Sequence, residues 1–97
     1  MIDLPAEQLA QVREIVRRHV PSGEVFAFGS RVSGRAKEFS DLDLMVKSTG
    51  GLPWRTLADL RESFEASDLP ITVDVVDWNA CSVQFRSLVG AQLVRMD

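Results

Sequence analysis

The segment Asp41-Leu42-Asp43-Leu44-Met45-Val46-Lys47 constrains the chain more than any other stretch. In an extended strand Leu42, Leu44 and Val46 fall on one side, and Asp41, Asp43 and Met45 on the other. Aspartate is a poor strand former, so this strand must be held by burial of its apolar side. It therefore predicts a strand of a sheet against which helices pack, with two carboxylates leaving the same face.

The flanking sequence supplies those helices. Across residues 4–20, Leu9, Val12, Ile15, Val16 and Val20 recur at helical spacing, with Pro5 suited to a first turn and Pro21-Ser22-Gly23 as a stop. A second helix is expected from Pro53, with Trp54, Leu57, Leu60 and Phe64 on its buried face. A third is expected from about Ser82, lined by Val83, Phe85, Leu88 and Val89. The run 25–28 reads as a buried strand ending at Gly29, and 71–76 as a third strand with Thr72, Asp74 and Val76 on one face. The order helix, strand, strand, helix, strand, helix predicts a single α/β (α+β) domain over residues 1–97, a small mixed sheet flanked by helices.

Paired carboxylates on one sheet face repel each other unless a cation lies between them, so Asp41 and Asp43 point to a divalent metal. Asp74, if its strand neighbours theirs, brings a third carboxylate. Oxygen ligands with open coordination positions suit Mg²⁺. Two such ions roughly 3.5–4 Å apart would serve an in-line displacement at phosphorus, Asp41 and Asp43 bridging them and Asp74 holding the ion beside the nucleophile. Gly29 and Ser30 follow the first strand, where a glycine lets backbone approach a phosphate and the hydroxyl adds a donor. Gly34 keeps the return turn permissive, and Arg31, Arg35 and Lys37 offer local positive charge.

Gly29-Ser30, ten intervening residues and Asp41-Leu42-Asp43 together resemble the signature of the polymerase-beta-like nucleotidyltransferase superfamily. Phe28-Gly29-Ser30-Arg31, Gly34 and Ser40-Asp41-Leu42-Asp43-Leu44 resemble its minimal nucleotidyltransferase (MNT) domains, as do residues 67–70 and 73–78. The resemblance implies that fold, with Asp41, Asp43 and Asp74 catalytic and metal-binding and Gly29, Ser30, Arg31 and Gly34 at the nucleotide. It also implies two Mg²⁺, ATP as substrate, and transfer of AMP to a tyrosine of a HEPN-domain ribonuclease toxin, for which the chain would be the antitoxin. Neutralisation of that partner by binding alone is the alternative. Lys37-Glu38-Phe39 departs from the more polar turn of many such proteins. These 97 residues contain no tyrosine, which places any acceptor tyrosine on another molecule.

The remaining residues take structural readings. Asp77 has the wrong strand parity for the metal and is expected to cap the next helix, while His19 complements a helix end. Trp54 and Trp78 are read as packing or partner-facing, and Cys81 as a small packing residue. A net charge of −3 lacks the footprint of a nucleic-acid binder. A lone cysteine, no membrane-length apolar run and no secretory pattern at the start lead to a cytoplasmic expectation.

Overall fold

The computed structural model describes residues 1–96. Its elements are α1 (Ala6–His19), β1 (Glu24–Phe28), α2 (Ser30–Ser33), β2 (Leu42–Lys47), α3 (Trp54–Ala66), β3 (Val73–Asp77), α4 (Val83–Val89) and β4 (Val94–Arg95), with short 3₁₀ turns after β3 and α4. Proline opens both long helices from the N-cap: the Leu9 amide donates to the Pro5 carbonyl and the Leu57 amide to Pro53. That use of proline supplies an acceptor where no intrahelical donor is lost.

The four strands form one sheet in the order β3-β2-β1-β4. β1 pairs antiparallel with β2 and β4, whereas β2 and β3 run parallel, joined by α3, so the sheet is mixed as expected. On one face Val25, Ala27, Leu42, Leu44, Val46 and Val75 are buried against Val12, Ile15, Val16, Leu60 and Phe64 of α1 and α3. Each of these side chains except that of Ala27 contributes roughly 1.5–3 kcal/mol on leaving water. The alternation read from 41–47 is thus realised, with Leu42, Leu44 and Val46 fully buried.

The opposite face is covered more thinly. α4 sets Phe85 and Val89 against Phe28 and Met45, which makes a second, smaller core. Beyond that helix Trp78 is clasped by Lys47, whose Nζ lies 4.1 Å from the ring centroid, and by the Arg86 guanidinium at 5.2 Å. Stems of long cations cover aromatic surface while their charged heads stay wet, which supports the packing reading of Trp78. Among the described residues no helix is long and apolar enough to cross a membrane.

Several expectations need correction. Trp54, Val83 and Leu88 face solvent, at 74%, 73% and 70% exposure. Trp54 is the first residue of α3, before the helix reaches the sheet, and on α4 only the Phe85–Val89 side meets the core. β3 starts at Val73, two residues later than the apolar run suggested, and ends one residue later at Asp77, and β4 was not foreseen. His19 ends α1 as read, but its Nε2 also lies 2.8 Å from Ser63 Oγ, which ties α1 to α3.

Candidate active site

The register of the sheet assembles the site. Phe28 lies opposite Asp43 across the β1–β2 pair, and Asp43 lies opposite Asp74 across the parallel β2–β3 pair. Neighbouring strands are about 4.8 Å apart and opposed side chains leave the same face, so Asp43 and Asp74 emerge side by side. Asp41 stands one residue ahead of β2 and, by strand parity, on that same side. The three predicted carboxylates therefore share one patch.

Asp43 is its half-buried centre. Its carboxyl titrates above the ordinary aspartate value, first because burial penalises the charged form, then because Asp74 and Asp41 repel it. Asp41 and Asp74 are exposed. A cavity of about 740 Å³ runs along β3, lined among others by Phe28, Asp43, Asp74, Val76 and Phe85 and, toward α3, by Arg61, Phe64 and Glu65; Gly29, Ser30 and Asp41 lie outside its lining. That volume lies within the usual range of small-molecule sites. Phe28 and Phe85 wall it edge to face, with centroids 6.0 Å apart. The sequence reading passed over both as site residues, although Phe28 directly precedes Gly29.

Gly29 adopts φ 81° and ψ −152°, a conformation essentially reserved for glycine. A β-carbon there would stand 2.3 Å from Asp43 Oδ2, so Asp43 packs directly over bare backbone. Ser30 begins the single turn of α2 just beyond it, and Gly34 ends that turn in the left-handed region at φ 83°. Nothing would meet a β-carbon at Gly34 within 4 Å, so only its backbone conformation constrains it. Arg35 and Lys37 are exposed.

Arg31 departs from its expected role of offering charge to a phosphate. It is buried, and its guanidinium donates to the carbonyls of Asp3, Lys37, Glu38 and Ser40. Sequence shows the charge; only the fold shows that it is turned toward backbone carbonyls. Asp77 behaves as read: its carboxylate accepts from the Asn79 amide, capping the 3₁₀ turn, and also from the Leu52 amide.

The model of the nucleotidyltransferase domain family matches residues 9–95. The chain belongs to the nucleotidyltransferase domain family. Among its relatives, the Haemophilus influenzae protein named probable protein adenylyltransferase MntA is 44% identical over 88 residues, 91% of this chain and 77% of the relative. A solved toxin–antitoxin structure with AMP-PNP superposes with a TM-score of 0.75 at 24% identity, covering 92% of this chain and 72% of that one. Another, a tri-AMPylated Shewanella oneidensis HEPN toxin in complex with an MNT antitoxin, gives 0.70 at 21%, covering 97% and 72%. At these identities the two structures speak for the fold.

The donor set of this nucleotidyltransferase fits a hard divalent cation: carboxylate oxygens are brought to one patch by strand register, and the Asp43 carboxyl is pushed above its ordinary value by burial first and then by Asp74 and Asp41. Among the described residues no three His, Cys, Asp or Glu side chains stand close enough to form a finished cage. An ion bound here would complete its shell with substrate oxygens, as Mg²⁺ commonly does.

A pH dependence follows from Asp43. A carboxyl whose folded pKa lies above its unfolded value binds its proton more tightly when folded, so its contribution to stability falls as pH rises through that interval. Thermal unfolding without divalent ions should therefore show Asp43 lowering the melting temperature as pH climbs from the ordinary value of 3.8 through its raised one. Mg²⁺ should reverse the loss at neutral pH. A melting temperature indifferent to Mg²⁺ there would count against repulsion among these carboxylates.

Proposed function

We propose that this chain is a Mg²⁺-dependent protein adenylyltransferase, which transfers AMP from ATP to a tyrosine of a HEPN-domain toxin and so acts as its antitoxin. The observation that carries the reading is Asp43 set opposite Asp74 and pressed over Gly29, with both carboxylates lining a cavity of about 740 Å³. The 44% identity to a protein named as a probable protein adenylyltransferase supports the acceptor class, and the AMP-PNP in a relative's structure supports the nucleotide. Residues 1–97 are read as one minimal nucleotidyltransferase domain working in the cytoplasm, with no direct nucleic-acid partner.

Asp41, Asp43 and Asp74 would hold the Mg²⁺ ions, whose positive charge stabilises the attacking and leaving oxygens of the displacement. Gly29 and Ser30 cradle the triphosphate from bare backbone and a hydroxyl, and Gly34 lets the chain turn back after α2. The acceptor's phenolic oxygen attacks the α-phosphorus, a new O–P bond forms, and the bond to the bridging oxygen breaks to release pyrophosphate. Asp74, exposed on the edge strand, faces the acceptor and takes its proton.

Neutralisation by binding alone is the second reading, favoured by the exposed Phe39, Val83 and Leu88 as anchors for a partner. Intact mass measurement separates the two. With the partner toxin, ATP and Mg²⁺, the toxin should gain one or more AMP units, and none when the chain carries Asp43→Asn. An unchanged toxin mass in a stable complex would establish binding alone.

A further inference from the structure

We propose that Arg31 is a positioning residue for Asp41, acting through the peptide unit that leads into that carboxylate. The inference rests on the nucleotidyltransferase reading of the site.

Asp41 needs outside help to be fixed, because β2 begins only at Leu42. On its far side the chain is anchored when the Leu42 amide donates to the Thr72 carbonyl at 3.0 Å. On its near side the anchor is Arg31. Nε and Nη2 both donate to the Ser40 carbonyl, at 3.1 and 2.9 Å. That carbonyl belongs to the peptide plane between Ser40 and Asp41, so the fork fixes the plane from which the Asp41 α-carbon hangs.

The same guanidinium braces the rest of the turn. Nη2 reaches the Lys37 and Glu38 carbonyls at 3.2 and 3.0 Å, and Nη1 reaches the Asp3 carbonyl at 2.9 Å. The Asp3 amide returns a bond to the Arg31 carbonyl at 2.7 Å. The turn also closes on itself, with the Ser40 amide donating to the Lys37 carbonyl and the Lys37 amide donating to Ser40 Oγ. Among the described residues no carboxylate lies within ion-pair distance of Arg31, which is only 5% exposed. A buried cation satisfied by carbonyl dipoles alone is costly to desolvate, and what it secures here is the shape of residues 37–40. Lysine, a point donor on a flexible stem, cannot reproduce the fork.

The test compares the native chain with Arg31→Lys and Ser40→Ala, the second loosening the turn without touching the buried charge. Mn²⁺ binding in the presence of AMP-PNP is read by electron paramagnetic resonance, and transfer to the partner is measured alongside. Arg31→Lys should weaken Mn²⁺ binding about tenfold, in the range for loss of a group that orients a metal ligand. Its kcat should fall in parallel, while KM for ATP at saturating metal moves less than about twofold, because ground-state nucleotide contacts are untouched. Ser40→Ala should shift Mn²⁺ affinity the same way by about threefold, near the value of one turn hydrogen bond.

A tenfold rise in KM for ATP with Mn²⁺ affinity unchanged would overturn the proposal, since Arg31 would then be a phosphate contact. Unchanged Mn²⁺ affinity in both folded variants would overturn it as well. If Arg31→Lys fails to fold, Ser40→Ala decides alone on the same measurement. A native chain that binds Mn²⁺ with AMP-PNP yet transfers nothing would defeat the enzymatic reading, while the Mn²⁺ comparison still decides the role of Arg31.

Discussion

Asp43→Asn is expected to lose transfer by at least about a thousandfold, several kcal/mol of transition-state stabilisation, and yet to melt at a higher temperature than the native chain at neutral pH. Both effects have one cause. The native carboxylate is half-buried over Gly29 and flanked by Asp74 and Asp41, which is why its proton is held above the ordinary range. At neutral pH, without a cation, that charge opposes folding, and an amide of the same shape removes the opposition. The advantage of the variant should shrink as pH falls toward 3.8, where the native carboxyl also becomes neutral. The amide cannot supply the anionic oxygen with which Asp43 would hold a divalent ion, so activity is lost even where stability is gained. Single-turnover transfer and thermal melts on the same preparations check this. A variant both inactive and less stable at pH 7 would sink the electrostatic account of the site.

This opposition between stability and function could be read only partly from sequence. The period of 41–47 and the apolar spacing of 9–20 dictated a helix-backed sheet, and the buried residues follow both patterns. The spacing of Asp41 and Asp43 alone put two carboxylates on one face. The third depended on which strands pair, a long-range fact that local pattern does not encode, and the parallel register that sets Asp74 opposite Asp43 supplies it. β4 escaped for a similar reason: two residues held by pairing to Phe26 and Ala27 carry no period of their own. Trp54, Val83 and Leu88 were misplaced because helical spacing fixes angles around an axis and not which part of a short helix meets the sheet. Arg31 shows the deepest gap. Its charge suggested an anion, but the direction of a guanidinium is set by tertiary structure, here by the turn before Asp41.

Gly29→Ala should damage activity severely, although it removes no polar group. The substitution meets two independent obstacles. The backbone at φ 81° and ψ −152° is one that alanine adopts only at a cost of about 1–3 kcal/mol. In addition the new methyl would stand 2.3 Å from Asp43 Oδ2, with Cγ at 3.3 Å and Cβ at 3.5 Å. Rotating the carboxylate tip relieves the worst contact, but it carries that oxygen off the patch shared with Asp74. Transfer should therefore fall at least about a hundredfold, the loss that an ångström of misplacement can produce. Gly34→Ala separates the two obstacles, because its φ of 83° imposes the backbone cost while nothing lies within 4 Å of the added atom. Both alanine variants should lose stability in denaturant titrations, Gly29→Ala more than Gly34→Ala because it adds a contact with Asp43 to the backbone cost, and only Gly29→Ala should also weaken Mn²⁺ binding. Equal Mn²⁺ affinity in both would mean that Asp43 does not depend on the bare backbone beneath it, and that Gly29 is present for the turn alone.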